Sequence, residues 1–254
     1  MPKAIKACIN RFISYKGSLE FTPLNDQEPQ AGYQHKFVVQ NYAGYIRDKK
    51  VLDAGCWTAP IASAIKEEAL STELVGLDEN EDALSVARRN FTEFKFLRCK
   101  LTDPDKKIES GYAAYFDTVI FLDVLEHLLS GSEISVLKFL NSLLKKEGVM
   151  VISTMADHIF NIIDPAWAMG HRHYKLKTVR QMLEAAGFDI IEAKEAGNLW
   201  WDIDLLFFYF SKHLLRKKYR TPVFIRKKIM RGLDKTFIAT RLYILAKKRM
   251  TQVN

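Results

Sequence analysis

Seven short runs rich in Val, Ile, Leu and Phe punctuate the chain: Val51–Ala54, Glu73–Asp78, Lys95–Cys99, Phe116–Asp123, Gly148–Ser153, Phe188–Ala193 and Arg241–Ala246. Their length and composition predict buried strands. Helical patterns fill most of the gaps. Ile61–Leu70 and Asp82–Asn90 follow the first two runs, and Ser132–Lys146 carries Ile134, Leu137, Leu140 and Leu144 at spacings of three and four. Leu176–Ala186 repeats that spacing through Leu176, Val179, Met182, Leu183 and Ala186, and Gly187 stands where a C-cap glycine belongs. Strands alternating with helices predict an α/β fold: a doubly wound, mostly parallel seven-stranded sheet with both faces covered and right-handed crossovers. Ligands in such sheets bind beyond the carboxyl ends of the strands, where the strand order reverses. Chemistry is therefore to be sought just after each strand.

Two regions depart from the alternation. Residues 1–33, with Pro23 and Pro29, read as an irregular or helical extension. Residues 197–240 read as a helical insertion before the last strand, leaving 34–196 as the core and 241–254 as its last strand and a basic tail. The second helix of the insertion is expected to begin with Thr221 as N-cap and Pro222 at its first position. Ile225, Ile229 and Leu233 share one of its faces, and Arg226, Lys227, Lys228, Arg231 and Lys235 occupy much of the rest.

Charge sharpens that division. The net charge of +8 is the sum of +13 from Ser211 to Asn254, where Asp234 is the one acid, and −5 elsewhere. Such asymmetry points to an anionic partner for the basic part, lipid headgroups or nucleic acid. Ahead of it lie Trp200, Trp201, Leu205, Leu206, Phe207, Phe208, Tyr209 and Phe210, too many apolar residues for one helical face. One reading is a buried lid helix. The other, over residues 199–235, is an interfacial element that dips aromatics into an anionic membrane while Arg216, Lys217 and Lys218 meet headgroups. Nucleic acid is the lesser expectation, since no RNA-binding signature accompanies the charge. The apolar stretch from Leu199 to Leu215 is too short and too charged for a membrane span, and the N-terminus lacks the apolar segment of a secretory signal. Three scattered cysteines, Cys8, Cys56 and Cys99, show no disulfide or zinc spacing and point to a reducing, cytoplasmic setting, with peripheral attachment to the inner face of a membrane as its variant.

The candidate chemistry begins where the first strand ends, in Asp53-Ala54-Gly55-Cys56-Trp57-Thr58-Ala59. A glycine turn from strand to helix lets backbone approach a ligand closely. Asp78, 23 residues past Gly55, ends the second strand and suits the two hydroxyls of a ribose. That spacing also fits a nicotinamide dinucleotide, but the turn holds a single glycine where a pyrophosphate wants several. With Phe116-Asp117-Thr118-Val119, Asp123-Val124-Leu125-Glu126-His127-Leu128 and His171-Arg172-His173-Tyr174, the sequence resembles the class I methyltransferases that use S-adenosylmethionine (SAM). The resemblance covers roughly residues 34–196 and 241–248, and four motifs in the right order carry it.

The resemblance implies a Rossmann-like fold, SAM as cofactor, and roles by position. Asp53 lies near the amino-acid end of SAM, and Gly55, Cys56 and Trp57 line its methionine moiety. Asp78 binds the ribose, Glu79 and Asn80 border the adenine edge, and Thr102, in the turn Lys100–Asp103, borders the ring. Asp123 and Val124 face the sulfonium and floor the acceptor pocket. Two departures stand out: Ala59 replaces the last glycine of the family's first loop, and Lys100 stands near where many relatives carry an Asp.

His127 and His173 are candidate general bases for a hydroxyl acceptor, with structural roles the alternative. Some related O-methyltransferases hold a divalent metal with a cluster like Asp123, Glu126 and His127 plus His171 or His173. The same motif is widespread in relatives without metal, and no metal is expected here. The reading is an enzyme that moves a methyl group from SAM to a small-molecule or lipid-linked acceptor, at oxygen. The alternatives are an RNA or protein methyltransferase and a non-catalytic SAM-fold docking protein.

Overall fold

The computed structural model describes residues 29, 31–157, 171–211, 215, 219, 221–232 and 240–250. Helix α1 (Tyr33–Asn41) leads into strand β1 (Lys50–Ala54), α2 (Pro60–Glu67), β2 (Glu73–Asp78), α3 (Glu81–Asn90), β3 (Lys95–Arg98) and α4 (Lys106–Gly111). There follow β4 (Phe116–Leu122), a 3-10 turn (Leu125–His127), α5 (Glu133–Leu143), β5 (Leu144–Met155), α6 (Leu176–Ala185) and β6 (Phe188–Ala196). Helices α7 (Leu199–Phe210) and α8 (Val223–Gly232) precede β7 (Arg241–Lys248). The N-terminal extension falls almost wholly outside the described residues.

The sheet order is β3-β2-β1-β4-β5-β7-β6. The pairs β1–β2, β1–β4, β2–β3 and β4–β5 are parallel. Strands β6 and β7 are antiparallel: Thr240 N–H donates to the Ala196 carbonyl and Arg249 N–H to that of Gly187, so chain positions rise on one side as they fall on the other. The continuous apolar runs have the expected cause. Val119, Ile120 and Phe121 of β4, like Met150, Val151 and Ile152 of β5, are all buried because a central parallel strand meets protein on both faces.

The chain divides into two compact units. The described part of the larger comprises residues 29, 31–153, 177–193 and 244–250; that of the other comprises residues 154–157, 171–176, 194–211, 221–232 and 240–243, with Leu215 and Tyr219. In the larger unit α1 packs on α2 and α3 on β3. The winding leaves β1 toward β2 and β3 on one side and resumes with β4 and β5 on the other. The reversal therefore falls between β1 and β4, the place where sheets of this kind bind ligands.

Several local expectations are corrected. Helix α5 stops at Leu143, and Leu144–Lys146 already belong to β5; Leu144 opposes Phe116 across the ladder, so strand pairing overrides helical periodicity there. Helix α2 covers Pro60–Glu67 rather than Ile61–Leu70, and β3 and β4 end one residue early. Gly187 does terminate α6, with φ +85° and its N–H donated to the Glu184 carbonyl. At α8 the Pro222 carbonyl accepts the first helical bond, from Arg226 N–H, so Pro222 holds the cap position. Thr221 instead turns its hydroxyl to Asp204, at 2.8 Å.

In the smaller unit Gly197 joins β6 to α7 with φ +108°, and a Cβ there would sit 2.0 Å from Thr240 Oγ1. Left-handed backbone costs about 1–2 kcal/mol for a residue with a side chain, and overpacking adds about 1–3. Gly197→Ala is expected to destabilise the protein by about 2–5 kcal/mol in urea unfolding; a loss below about 1 kcal/mol contradicts the packing described.

Candidate active site

The carboxyl ends of β1, β2, β3 and β4 meet in the larger unit. Gly55, just past β1, adopts φ +81°, and a Cβ built on it would lie 2.3 Å from Val124 Cγ2. The missing side chain is what brings the loop after β4 against the loop after β1. Gly55 and Cys56 N–H groups both donate to the Leu77 carbonyl, at 2.7 and 3.0 Å, which ties the same turn to β2. Gly76 provides the matching space, since a Cβ there would meet Phe96 at 2.5 Å and Cys56 Sγ at 2.8 Å. Cys56 is accordingly buried, and its thiol is pushed up chiefly by burial, with Asp53 and Asp78 adding to it.

Trp57 also has positive φ, +47°, and its side chain is exposed. Its N–H donates to Asp78 Oδ2 at 2.8 Å, while Asn80 N–H donates to Asp78 Oδ1 at 2.9 Å. Each carboxylate oxygen thus accepts one backbone bond and keeps another acceptor position. Asn80 caps α3, its Oδ1 accepting from Ala83 N–H at 3.0 Å. Glu79 is exposed, and its carbonyl accepts from Arg98 Nε. Cys99 N–H donates to the Asp78 carbonyl at 2.8 Å, which carries the Lys100–Asp103 turn to the end of β2. Within that turn Thr102 is half-buried and Lys100 exposed.

Asp53 lies beneath this edge, 4% exposed, with no hydrogen-bond partner for Oδ2 among the described residues. Burial, helped by the nearby Asp78 carboxylate, raises its pKa from 3.8 to about 8. Asp123 has φ +56°, a conformation Asp tolerates better than most residues. It is held at both ends: its N–H donates to the Ser153 carbonyl, and its Oδ1 accepts from the Ser153 hydroxyl at 2.9 Å. Ser153 is the residue sequence reasoning missed; its one signal is its position at the end of the fifth apolar run.

His127 closes the 3-10 turn, exposed, with its N–H donated to the Val124 carbonyl. Asp53, Gly55, Cys56, Trp57, Asp78, Glu79, Asn80, Thr102, Asp123, Val124 and His127 therefore all belong to the larger unit and its strand ends. His173 belongs to the smaller unit, in a segment whose Tyr174 donates its N–H to the Met155 carbonyl at 2.9 Å. Among the described residues no group of three or more His, Cys, Asp or Glu is placed to hold a metal ion.

A glycine turn after β1, an acid at the end of β2 and this strand order define the Rossmann-like methyltransferase class of fold. The model of the methyltransferase domain family matches residues 33–193, and the chain belongs to that family. It is 31% identical over 139 residues to a ubiquinone biosynthesis O-methyltransferase of Yersinia enterocolitica, covering 54% of this chain and 53% of that protein. The Histophilus somni protein of the same name is 29% identical over 136 residues, covering 52% and 53%. The chain thus spans about half the length of the curated relatives it matches. Among solved structures, a SAM-dependent methyltransferase from Archaeoglobus fulgidus has a TM-score of 0.55 at 21% identity, over 84% of this chain and 92% of that one. The cyclase SpnF has a TM-score of 0.61 at 15% identity, over 89% and 86%. These structural likenesses are of fold, and a cyclase among them shows that the fold alone does not set the reaction.

Two left-handed positions of one loop make contrasting predictions. Gly55→Ala is expected to cost about 2–4 kcal/mol, from strained φ and the overlap with Val124. Ala59, at φ +67° and fully buried, already bears a strain of about 1–2 kcal/mol. Ala59→Gly relieves it but loses a buried methyl, about 0.8 kcal/mol, and adds unfolded-chain freedom of about 0.4–1 kcal/mol. It is expected to lie within about 1 kcal/mol of neutral, and equal effects at the two positions would contradict the geometry.

A second prediction concerns pH. The folded chain keeps the Asp53 proton up to about pH 8, whereas an ordinary carboxyl releases it near 3.8. Stability therefore falls as pH rises between those values and is level above them. Asp53→Asn is expected to raise Tm more at pH 9 than at pH 5; the reverse order overturns the assignment.

Proposed function

We propose that the protein transfers a methyl group from SAM to an oxygen of a small-molecule acceptor. The observation that carries this reading is the Asp78 carboxylate, held at the end of β2 by the N–H groups of Trp57 and Asn80. Its two remaining acceptor positions suit the paired hydroxyls of a ribose, and the backbone has fixed its orientation before any ligand arrives. The αL turn at Gly55 leaves backbone, rather than a side chain, facing a ligand's approach. Asp53 supplies a second acid whose unsatisfied oxygen favours a cationic neighbour.

When bound, SAM supplies an activated methyl group on a sulfonium. The chain's own part is to hold and orient. Gly55, Cys56 and Trp57 would border the methionine moiety, Glu79, Asn80 and Thr102 the adenine, and Asp123 and Val124 the sulfonium side. Ser153 is the positioning residue for Asp123. In-line placement supplies much of the acceleration in such a transfer, so a general base, His127 among the strand ends of the larger unit, is of most use for an acceptor hydroxyl that is neutral at working pH. The relatives' name supports oxygen as the acceptor atom. A lipid-linked acceptor is the finer form of the same proposal.

Calorimetry with SAM and its demethylated product tests the reading. Micromolar binding is expected, with Asp78→Ala weakening it at least about a hundredfold through two lost hydrogen bonds to a charged group. Absence of binding at millimolar ligand by the folded protein overturns the proposal.

A further inference from the structure

In the smaller unit α7 and α8 form an antiparallel pair. Asn198 caps α7 by accepting from Trp200 and Trp201 N–H, and its Nδ2 donates to the carbonyls of Lys228 and Ile229, at 3.4 and 3.1 Å. Further along α7, Asp204 accepts from the hydroxyls of Tyr219 at 2.7 Å and Thr221 at 2.8 Å. The start of α7 therefore lies beside the later part of α8, and its middle beside the approach to α8. Trp201, Asp204, Ser211, Ile225 and Ile229 are buried.

The exposed apolar residues gather at one end of this pair, with Leu199 the exception at the other. Leu206, Phe207 and Phe210 in the second half of α7 are exposed, Phe207 by 52%. Val223 and Phe224, in the first turn of α8, are 65% and 60% exposed. Helix direction places all five toward the end where the chain turns from α7 to α8. The exposed cations come next: Arg226, Lys227, Lys228 and Arg231. At about 1.5 Å of rise per residue, Lys227 stands about 5 Å and Arg231 about 10 Å along the axis from Phe224. Among the described side chains of 199–231 the one acid is Asp204, which is buried.

We propose that this helical pair docks on an anionic bilayer, sinking its apolar tip into the headgroup boundary and setting its cations against lipid phosphates. With the axis of the pair steep to the bilayer, the axial offset lets Phe224 enter the headgroup boundary while Lys227 and Arg231 stay level with the phosphates. Charge complementarity selects this occupant. A second copy of the chain would bring four cations against four. Nucleic acid would satisfy the cations and leave the uncharged tip in water. The inference stands independently of methyl transfer.

The test is co-sedimentation of the full chain with vesicles of phosphatidylcholine, alone or with about a third phosphatidylglycerol. Partitioning onto the anionic vesicles is expected, weakening as salt rises. Phe207→Ser with Phe224→Ser, and separately Lys227→Glu with Arg231→Glu, are each expected to reduce it at least about tenfold with unchanged circular dichroism. The charge pair changes no apolar residue, so it decides the matter even if the Phe pair misfolds. Failure to bind anionic vesicles, equal binding to neutral ones, or unaltered binding by the charge pair overturns the proposal. So does a dimer dissolved by the Phe pair, or tighter retention by single-stranded RNA than by vesicles.

Discussion

Gly55 has no side chain, and the candidate site is assembled around that fact. Val124 occupies the space a Cβ would need, and the N–H groups of Gly55 and Cys56 share one carbonyl of β2. Three strand ends are drawn together by one residue in a left-handed conformation. The strand order reverses between β1 and β4 at this edge, the place where such sheets bind ligands. Packing density explains why the arrangement is strict: a core filled at crystal-like density cannot take a misplaced methyl without moving a neighbour.

The two acids at this edge are held in opposite ways. Asp78 is half-buried and satisfied by backbone donors. Asp53 is buried with an oxygen that has no partner among the described residues. Leaving such a group unsatisfied is costly in a low-dielectric setting. A cationic group beside it would offset that cost, as the ammonium at the amino-acid end of the proposed cofactor would. The left-handed Trp57, Ala59 and Asp123 belong to the same edge, and local strain of this kind collects at functional sites.

The helical pair between β6 and β7 obeys a different logic. Its internal bonds are spent on holding α7 to α8, through Asn198 and Asp204. What faces outward is apolar at one end and cationic beyond it. Trp201 is buried, whereas Phe207 and Phe210 are exposed. No helix among the described residues is long and apolar enough to cross a membrane.

The α/β class, the seven strands and their approximate bounds were legible in the residues, because continuous apolar runs and 3.6-residue periodicity are local consequences of burial. The acids at the ends of β1 and β2 were legible because strand ends are where an α/β sheet places its chemistry. Other features were settled by contacts far apart in sequence. Leu144–Lys146 are strand because Phe116 pairs with Leu144. Thr221 left its expected cap because Asp204 accepts its hydroxyl. Ser153 acquired a role because β5 lies beside β4, and the antiparallel turn of β7 onto β6 has no local code at all. Periodicity records how a segment meets the solvent, whereas register, cap choice and side-chain partnership depend on which distant segment arrives beside it.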